Sequence, residues 1–251
     1  MKHYHILTSL LCLCLSLTAL AGGRKVLFIG DSITDGAWGR STGGSTPSEQ
    51  RNHTDMNHIY GHGYMMISAA RIQALYPEEG WQFWNRGISG NTLENLAERW
   101  NKDALVLHPD IVSILVGTND VDVLLRSGEK TLDIKRWGAR YRELLDALRS
   151  QNADVKLLLC TPFVAESGKL AGSDDYRYRE SMIRSIVEEV EAIAGEYDAV
   201  IVPFNSLVRE TIAAHPCVPS SYWIWDGIHP SPAMHYLMAE KWTECFSRLV
   251  K

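Results

Sequence analysis

The sequence predicts an α/β fold in which helices cover both faces of a parallel sheet, a three-layer α/β/α sandwich. Two patterns carry this prediction. Short continuous apolar runs are typical of strands buried on both faces, and amphipathic stretches of helical periodicity alternate with those runs along the chain. The composition of the 251 residues, 45% hydrophobic and 22% charged, is ordinary for a globular protein. We therefore expect one doubly wound domain over residues 22–251, with right-handed crossovers.

The elements of this sheet can be assigned in chain order. Apolar and β-branched runs predict five strands, at 25–29, 81–85, 111–116, 155–160 and 199–202. Helical periodicity predicts helices between and after them, at 62–76, 93–100, 137–150 and 178–195, with a last helix that begins after Ser231. Strands and helices alternate throughout, as a doubly wound sheet requires.

Several residues mark where these helices begin and end. Thr92 and Ser231 are suited to N-caps, and Pro232 is suited to a first helical position. Gly195 is suited to end the helix that precedes it. The helix over 62–76 has an apolar stripe of Met65, Ala69, Ile72 and Tyr76.

The first 21 residues have the pattern of a secretory signal peptide. A short segment with Lys2 precedes the apolar run LLCLCLSLTAL, which is too short to span a bilayer, and Ala19-Leu20-Ala21 fits a cleavage site. We expect residues 1–21 to be removed and the mature chain, without a transmembrane span, to be exported to the periplasm or the cell exterior.

Charge and cysteine content exclude some classes of protein. The formal net charge is −5 and no basic run is present, so a nucleic-acid partner is not expected. Three cysteines follow the predicted signal, so at most one disulfide can form within the chain; they are Cys160, Cys217 and Cys245. We expect them to be small buried hydrophobic residues.

The stretch GDSITDG, residues 30–36, follows the first strand at the edge where doubly wound sheets bind ligands. It lacks the glycine pattern and the lysine of a phosphate-binding loop, and Gly30 occupies the strand tip where a phosphoryl-aspartate enzyme needs an aspartate. It also differs from the α/β-hydrolase elbow, because Thr34 replaces a glycine. A polar turn or a nucleophilic Ser32 remains.

A serine nucleophile needs a histidine base that is held by a carboxylate. Asp226 and His229 lie three residues apart in WDGIHPSP, a spacing at which the carboxylate can bind imidazole Nδ1–H and leave Nε2 to face a serine. A surface turn that only caps the last helix is the alternative.

Two further turns follow the second and third predicted strands. NRGISGNT contains Gly90, and LVGTNDV contains Asn119. The backbone N–H groups of Ser32 and Gly90 and the amide of Asn119 could together stabilise an oxyanion. Three acidic residues in these motifs are expected to bind turn amides: Asp31, Asp35 and Asp120.

Four blocks in order, namely GDS, ISGNT, GTND and DGIHP, resemble the SGNH (GDSL-type) hydrolase family over residues 25–248. The resemblance implies a flavodoxin-like α/β/α fold with a five-stranded parallel sheet and esterase or lipase-like chemistry. Residue by residue, it implies Ser32 as nucleophile, His229 as base and Asp226 as the group that orients it. It also implies an oxyanion hole of Ser32, Gly90 and Asn119, and it requires neither a metal nor a cofactor.

Specificity is expected to come from loops at the active edge: 36–61, 120–130, 162–177 and 215–225. The segment HPCVPSSYWIW directly precedes Asp226 and carries Trp223 and Trp225, which are candidates to stack on a sugar ring or to line an acyl slot, with core packing at least as favoured for each. His62 is a candidate to line the pocket. His53, His58 and His62 could be thought of as metal ligands, but no carboxylate or cysteine is clearly placed beside them.

Polar loops and predicted export favour a short acyl group, such as acetyl on an oligosaccharide, as the ester substrate. A lysophospholipid or other lipid ester is the second possibility. A non-catalytic carbohydrate-binding protein would be expected to lack Ser32, His229 or Asp226, and all three are present. A phosphotransfer enzyme would depend on magnesium.

Overall fold

A five-stranded parallel sheet forms the centre of the structure, a computed structural model that describes residues 23–36 and 60–250. In chain order the strands are β1 (Lys25–Gly30), β2 (Gln82–Gly87), β3 (Ile111–Leu115), β4 (Lys156–Cys160) and β5 (Val200–Val202). Their order in the sheet is β2-β1-β3-β4-β5, and all neighbours are parallel. The predicted doubly wound, flavodoxin-like fold is confirmed. The strand order reverses between β1 and β3, where such sheets open a binding crevice.

Nine α-helices lie within the described residues. They are α1 (Ser32–Asp35), α2 (Tyr64–Leu75), α3 (Leu93–Asp103), α4 (Thr118–Arg126), α5 (Ile134–Gln151), α6 (Asp174–Glu196), α7 (Phe204–Ala214), α8 (Ser220–Trp223) and α9 (Pro232–Leu249). Short 3₁₀ turns occur at Pro77–Glu79, Leu105–Leu107 and Gly168–Leu170. The long helices supply the two outer layers.

The two faces of the sheet are covered by different helices. Leu27 and Ile29 pack with buried residues of α3, α5 and α6, whereas Val26 and Phe28 pack with those of α2, α7 and α9. All four side chains are fully buried, because successive residues of a strand point to opposite faces. The continuous apolar run of β1 is therefore the signature of burial on both sides.

The helix ends match the predicted caps in part. Thr92 forms a capping box with Asn95 at the start of α3, and the Ser231 hydroxyl accepts the Met234 N–H at the start of α9. The prediction that Gly195 ends a helix is wrong, because α6 continues through it to Glu196. Tyr76 lies outside α2 and is 43% exposed, so it does not belong to the buried stripe.

Helices α4 and α7 were not expected from the sequence. α4 occupies most of the segment predicted as the loop 120–130, and it starts inside the GTND motif, at Thr118, with Val121 buried. α7 buries Phe204, Val208 and Thr211 on one side. Both helices are short and amphipathic, and the turn residues before them masked their start.

The remaining predictions concern the cysteines, membrane-spanning helices and the N-terminal segments. Cys160 and Cys245 are buried, whereas Cys217 is exposed, and all three thiols are free. Among the described ranges, no helix is both long enough and apolar enough to cross a membrane. The predicted signal peptide, His53 and His58, and nearly all of the 36–61 loop lie outside the described residues.

Candidate active site

Ser32 lies at the carboxyl end of β1, as the first residue of the short helix α1. The helix begins here because the Asp31 carboxylate accepts the Ile33 N–H at 2.9 Å, and it ends at Gly36, whose φ of 52° is left-handed. A residue in the first turn of a helix has no intrahelical acceptor for its own N–H. The Ser32 N–H is therefore available to a ligand beside its hydroxyl.

Asn85 holds α1 against the sheet, a role that the sequence analysis missed. Its buried amide nitrogen lies within hydrogen-bond distance of Thr34 O (2.9 Å), Asp35 O (3.2 Å) and Tyr60 O (3.0 Å). Gly87 permits the close approach, because a Cβ there would lie 2.3 Å from the Asp35 nitrogen. A polar residue at the carboxyl end of the predicted strand WQFWN was the available signal.

The structure brings Ser32, His229 and Asp226 together although the first two are 197 residues apart. His229 Nε2 lies 2.9 Å from Ser32 Oγ, and His229 Nδ1 lies 2.9 Å from Asp226 Oδ2. With the ring proton on Nδ1 donated to the carboxylate, Nε2 is the acceptor for the hydroxyl proton. This chain of contacts can increase the nucleophilicity of Ser32.

Asp226 is held by the turn that carries the histidine. Its Oδ1 accepts the backbone N–H groups of Ile228 (3.0 Å) and His229 (2.8 Å). Burial favours a higher pKa for Asp226, but these N–H groups and the His229 ring outweigh it and hold the pKa below its usual value. The carboxylate therefore stays ionised and can stabilise a protonated imidazole.

Gly90 lies in the turn that follows β2, and Asn119 is the second residue of α4, which follows β3. Gly90 has a φ of 82°, and nothing lies within 4 Å of the position that a Cβ would take. The Asn119 amide nitrogen lies 3.2 Å from Asn91 O and 3.4 Å from Asp31 Oδ2. The Asn119 amide is thus already tied to the neighbours of both Gly90 and Ser32.

The acidic residues of the motifs bind amides, as expected, but mostly outside their own turns. Asp35 accepts the Ser89 N–H at 3.1 Å. Asp120 accepts the Leu93 N–H at 3.1 Å and the Trp137 indole N–H at 3.0 Å, so it joins α4 to α3 and α5. Burial raises the pKa of Asp120 to about 6.

Among the carboxyl groups of the site, Asp31 has the pKa that differs most from its usual value. It is 1% exposed, and this burial raises its pKa to about 7. The Ile33 N–H and the nearby His229 lower the pKa, whereas Asp120 and Asp35 add to the rise. Asp31 can therefore carry either charge state near neutral pH.

His235 supports the start of α2 from α9. Its Nδ1 accepts the Tyr64 N–H at 3.1 Å. Burial, with a smaller contribution from His229, lowers the pKa of His235 to about 4. The ring is therefore neutral at physiological pH and serves as a side-chain cap for α2.

The candidate substrate-binding residues differ in exposure. Trp225 is 59% exposed and its ring stacks beside that of His229, with centroids 5.8 Å apart. Trp223 is buried and packs against His215 and Tyr222, so it is a core residue and not a sugar platform. His62 is exposed, and its backbone N–H donates to Gly36 O at the end of α1.

A cleft of about 600 Å³ lies between the start of α3, α4 and the start of α5. Thr92 and Asp120 line it, and they are the chain neighbours of Asn91 and Asn119. Its lining includes none of Ser32, Asp226 and His229. Within the described ranges, no three His, Cys, Asp or Glu side chains are grouped to hold a metal ion.

Known proteins share both the sequence pattern and the fold. The profile of the GDSL-like lipase/acylhydrolase family matches residues 28–237. An acetylxylan esterase from Geobacillus stearothermophilus is 32% identical over 230 residues, which cover 88% of this chain and 92% of that protein.

The similar proteins of known structure include a GDSL-like lipase and an acetyl-xylooligosaccharide esterase. A protein from Parabacteroides merdae, assigned as a GDSL-like lipase, superposes with a TM-score of 0.74 at 30% identity, covering 90% of this chain and 96% of the other. A variant of an acetyl-xylooligosaccharide esterase from Geobacillus stearothermophilus superposes with a TM-score of 0.70 at 28% identity. The superposition covers 90% of this chain and 95% of the other.

Proposed function

This chain belongs to the GDSL-like lipase/acylhydrolase family and is a carboxylic ester hydrolase, and we propose that it removes acetyl groups from saccharides through an acyl-enzyme on Ser32. The observation that carries the proposal is the 2.9 Å contact of Ser32 Oγ with an imidazole whose other nitrogen binds a carboxylate. A hydroxyl in that setting has a base and an orienting group within reach.

The proposed reaction begins when Ser32 Oγ attacks the acetyl carbonyl and His229 Nε2 takes the hydroxyl proton. The tetrahedral intermediate collapses as His229 returns that proton to the leaving sugar oxygen, which leaves acetyl on Ser32. Water then attacks the acetyl-serine with His229 again as base, and His229 returns the proton to Ser32 Oγ as acetic acid leaves. Asp226 remains ionised throughout and stabilises the imidazolium.

The oxyanion of both intermediates would accept the N–H groups of Ser32 and Gly90 and the amide of Asn119. The open space in front of Gly90 supports this assignment. Asn119 has a longer contact to Asp31 (3.4 Å) than to Asn91 (3.2 Å), and the oxyanion would replace the longer one. The contact to Asn91 would keep the amide oriented.

Acetylated xylo-oligosaccharides are the substrate class we favour. The support is the similarity to the acetylxylan esterases and the exposed indole of Trp225 beside His229. An indole face is an apolar platform on which the C–H face of a sugar ring can stack.

The first experiment measures hydrolysis of 4-nitrophenyl acetate by the Ser32→Ala variant in the presence of a chelator. We expect the wild type to remain active with the chelator and the variant to lose activity while its circular dichroism is unchanged. A variant rate near that of the wild type would remove Ser32 as nucleophile. Loss of wild-type activity in the chelator would point to a metal-dependent reaction.

The second experiment tests the substrate class. We expect Trp225→Ala to raise KM for acetylated xylo-oligosaccharides by about 3- to 10-fold, the loss of one aromatic contact, and to leave KM for 4-nitrophenyl acetate unchanged. Tyr222→Ala is the matched control, because Tyr222 is 55% exposed and its ring contact is with Trp223. Preference for long-chain acyl esters over acetyl esters would instead favour a lipid substrate.

We also propose that the enzyme acts after export, in the periplasm or outside the cell. The support is the order of charge, apolar run and small residues over positions 1–21. Mass spectrometry of protein from the extracytoplasmic fraction should give a chain that starts at Gly22. A full-length chain retained in the cytoplasm would refute this proposal.

A further inference from the structure

One guanidinium joins the segment before Ser32 to the turn that contains Gly90. Arg99, in the last part of α3, has a side chain that is 14% exposed. Its Nε donates to Asn91 Oδ1 at 2.7 Å, and its Nη2 donates to Gly30 O at 3.2 Å. The two acceptors belong to segments that are about 60 residues apart in the chain.

The remaining contacts of Arg99 fix its position. Its Nη1 donates to Arg86 O at 2.8 Å and to Asp103 Oδ2 at 2.7 Å. The Asp103 side chain is 3% exposed and also has Arg86 Nε at 3.8 Å. A planar guanidinium with several acceptors in fixed directions is a rigid connector, whereas an ammonium group is a point charge.

Each end of this connector lies beside a proposed catalytic group. Gly30 is the last residue of β1 and precedes Ser32 by two positions. Asn91 follows Gly90 directly, and its backbone oxygen accepts the Asn119 amide at 3.2 Å. Arg99 therefore sets the distance between the segment of the nucleophile and the turn from which two oxyanion donors take their position.

We propose that Arg99 is a positioning residue for the oxyanion hole and acts through Asn91. The inference rests on the proposed roles of Ser32, Gly90 and Asn119. Arg99 does not touch the substrate in this proposal; it keeps the turn over residues 88–92 at the separation from Ser32 that an oxyanion requires. Small displacements of such donors lower the rate, because they stabilise the transition state only at the correct distance.

The test compares Arg99→Lys with Arg142→Lys in the hydrolysis of 4-nitrophenyl acetate. Arg142 is also a multiply paired arginine, bound to Glu189 and Glu196 between α5 and α6, away from the site. We expect Arg99→Lys to lower kcat by about 10- to 100-fold with KM within about threefold of the wild type. Arg142→Lys should leave both parameters within about twofold. Equal kcat values for the two variants would overturn the proposal.

Asn91→Ala supplies a second route, because it removes the acceptor of Arg99 Nε and leaves the guanidinium and its other acceptors in place. We expect Asn91→Ala to lose about as much kcat as Arg99→Lys. The double variant should have a kcat within about threefold of that of the slower single variant, since both changes break the contact between Arg99 and Asn91. Losses that multiply would mean that Arg99 does not act through Asn91. If Arg99→Lys does not fold, an unchanged kcat for Asn91→Ala overturns the proposal.

The Ser32→Ala variant separates this inference from the proposed function. An inactive Ser32→Ala with an unaffected Arg99→Lys would reject the role of Arg99 alone. An active Ser32→Ala would reject the acyl-enzyme mechanism, and the role of Arg99 in it would fall as well.

Discussion

Replacement of Asp31 by asparagine should make the protein more stable at neutral pH and should leave it unchanged in acid. The carboxyl is buried, and its pKa rises from 3.8 in the unfolded chain to about 7 in the folded protein. Between these two values the folded state binds more protons than the unfolded state. The ionised carboxylate therefore lowers stability as pH rises through this window.

The size of the effect follows from the shift. A difference of about 3 pKa units corresponds to at most ~4 kcal/mol in the free energy of unfolding. Asparagine keeps the Oδ1 that accepts the Ile33 N–H and has no charge to bury, and it loses the 3.4 Å contact of Oδ2 with the Asn119 amide. We expect Asp31→Asn to match the wild type near pH 4 and to exceed it by up to ~4 kcal/mol at pH 8.

Urea unfolding at intervals of one pH unit from 4 to 8 measures this difference directly. Asp154→Asn, which removes an exposed carboxylate, corrects for the loss of one negative charge. The assignment of a buried carboxyl with a raised pKa would be refuted if the free energies of unfolding of Asp31→Asn and the wild type differed by a constant amount, within ~0.5 kcal/mol, over the whole pH range. A stability cost at this position is what a site residue retained for function would impose.

Three further outcomes are expected. Asp226→Asn should lower kcat for 4-nitrophenyl acetate by about 10³- to 10⁴-fold, because the amide nitrogen of asparagine cannot accept the hydrogen bond from His229 Nδ1–H; a loss below tenfold would contradict this. Asn119→Ala should lower kcat by about 10²- to 10³-fold with little change in KM, and an effect confined to KM would exclude an oxyanion role. Asn85→Ala should destabilise the protein by about 2–4 kcal/mol in urea unfolding, because several buried carbonyls lose their donor; a loss below ~1 kcal/mol would mean that water replaces the amide.

The strands could be predicted because burial on both faces leaves continuous apolar runs such as those of β1 and β3. The helix ends depended more on context. Gly195 is a good local stop signal, yet Ile193 and Ala194 are buried and the helix continues past it. The predicted and observed ends of this helix differ by one residue, the range over which a helix end depends on its context.

At the site, the Asp226–His229 spacing was informative because both partners lie in one turn. Asn85 and Arg99 could not be identified in this way, because the acceptors of Asn85 and two of those of Arg99 are backbone oxygens of other segments, which have no sequence signature. The two tryptophans show the same limit. α8 ends at Trp223, and the change in chain direction buries that ring and exposes Trp225, two residues later.

The 197-residue separation of Ser32 and His229 has a consequence for the order in which activity appears. During synthesis the nucleophile leaves the ribosome before its base, which is made 197 residues later. A nascent or C-terminally truncated chain therefore carries a serine without a base, however well its first strands have formed. Esterase activity in a time course of synthesis or refolding should thus report the docking of the C-terminal segment, and it should lag behind the appearance of helical structure.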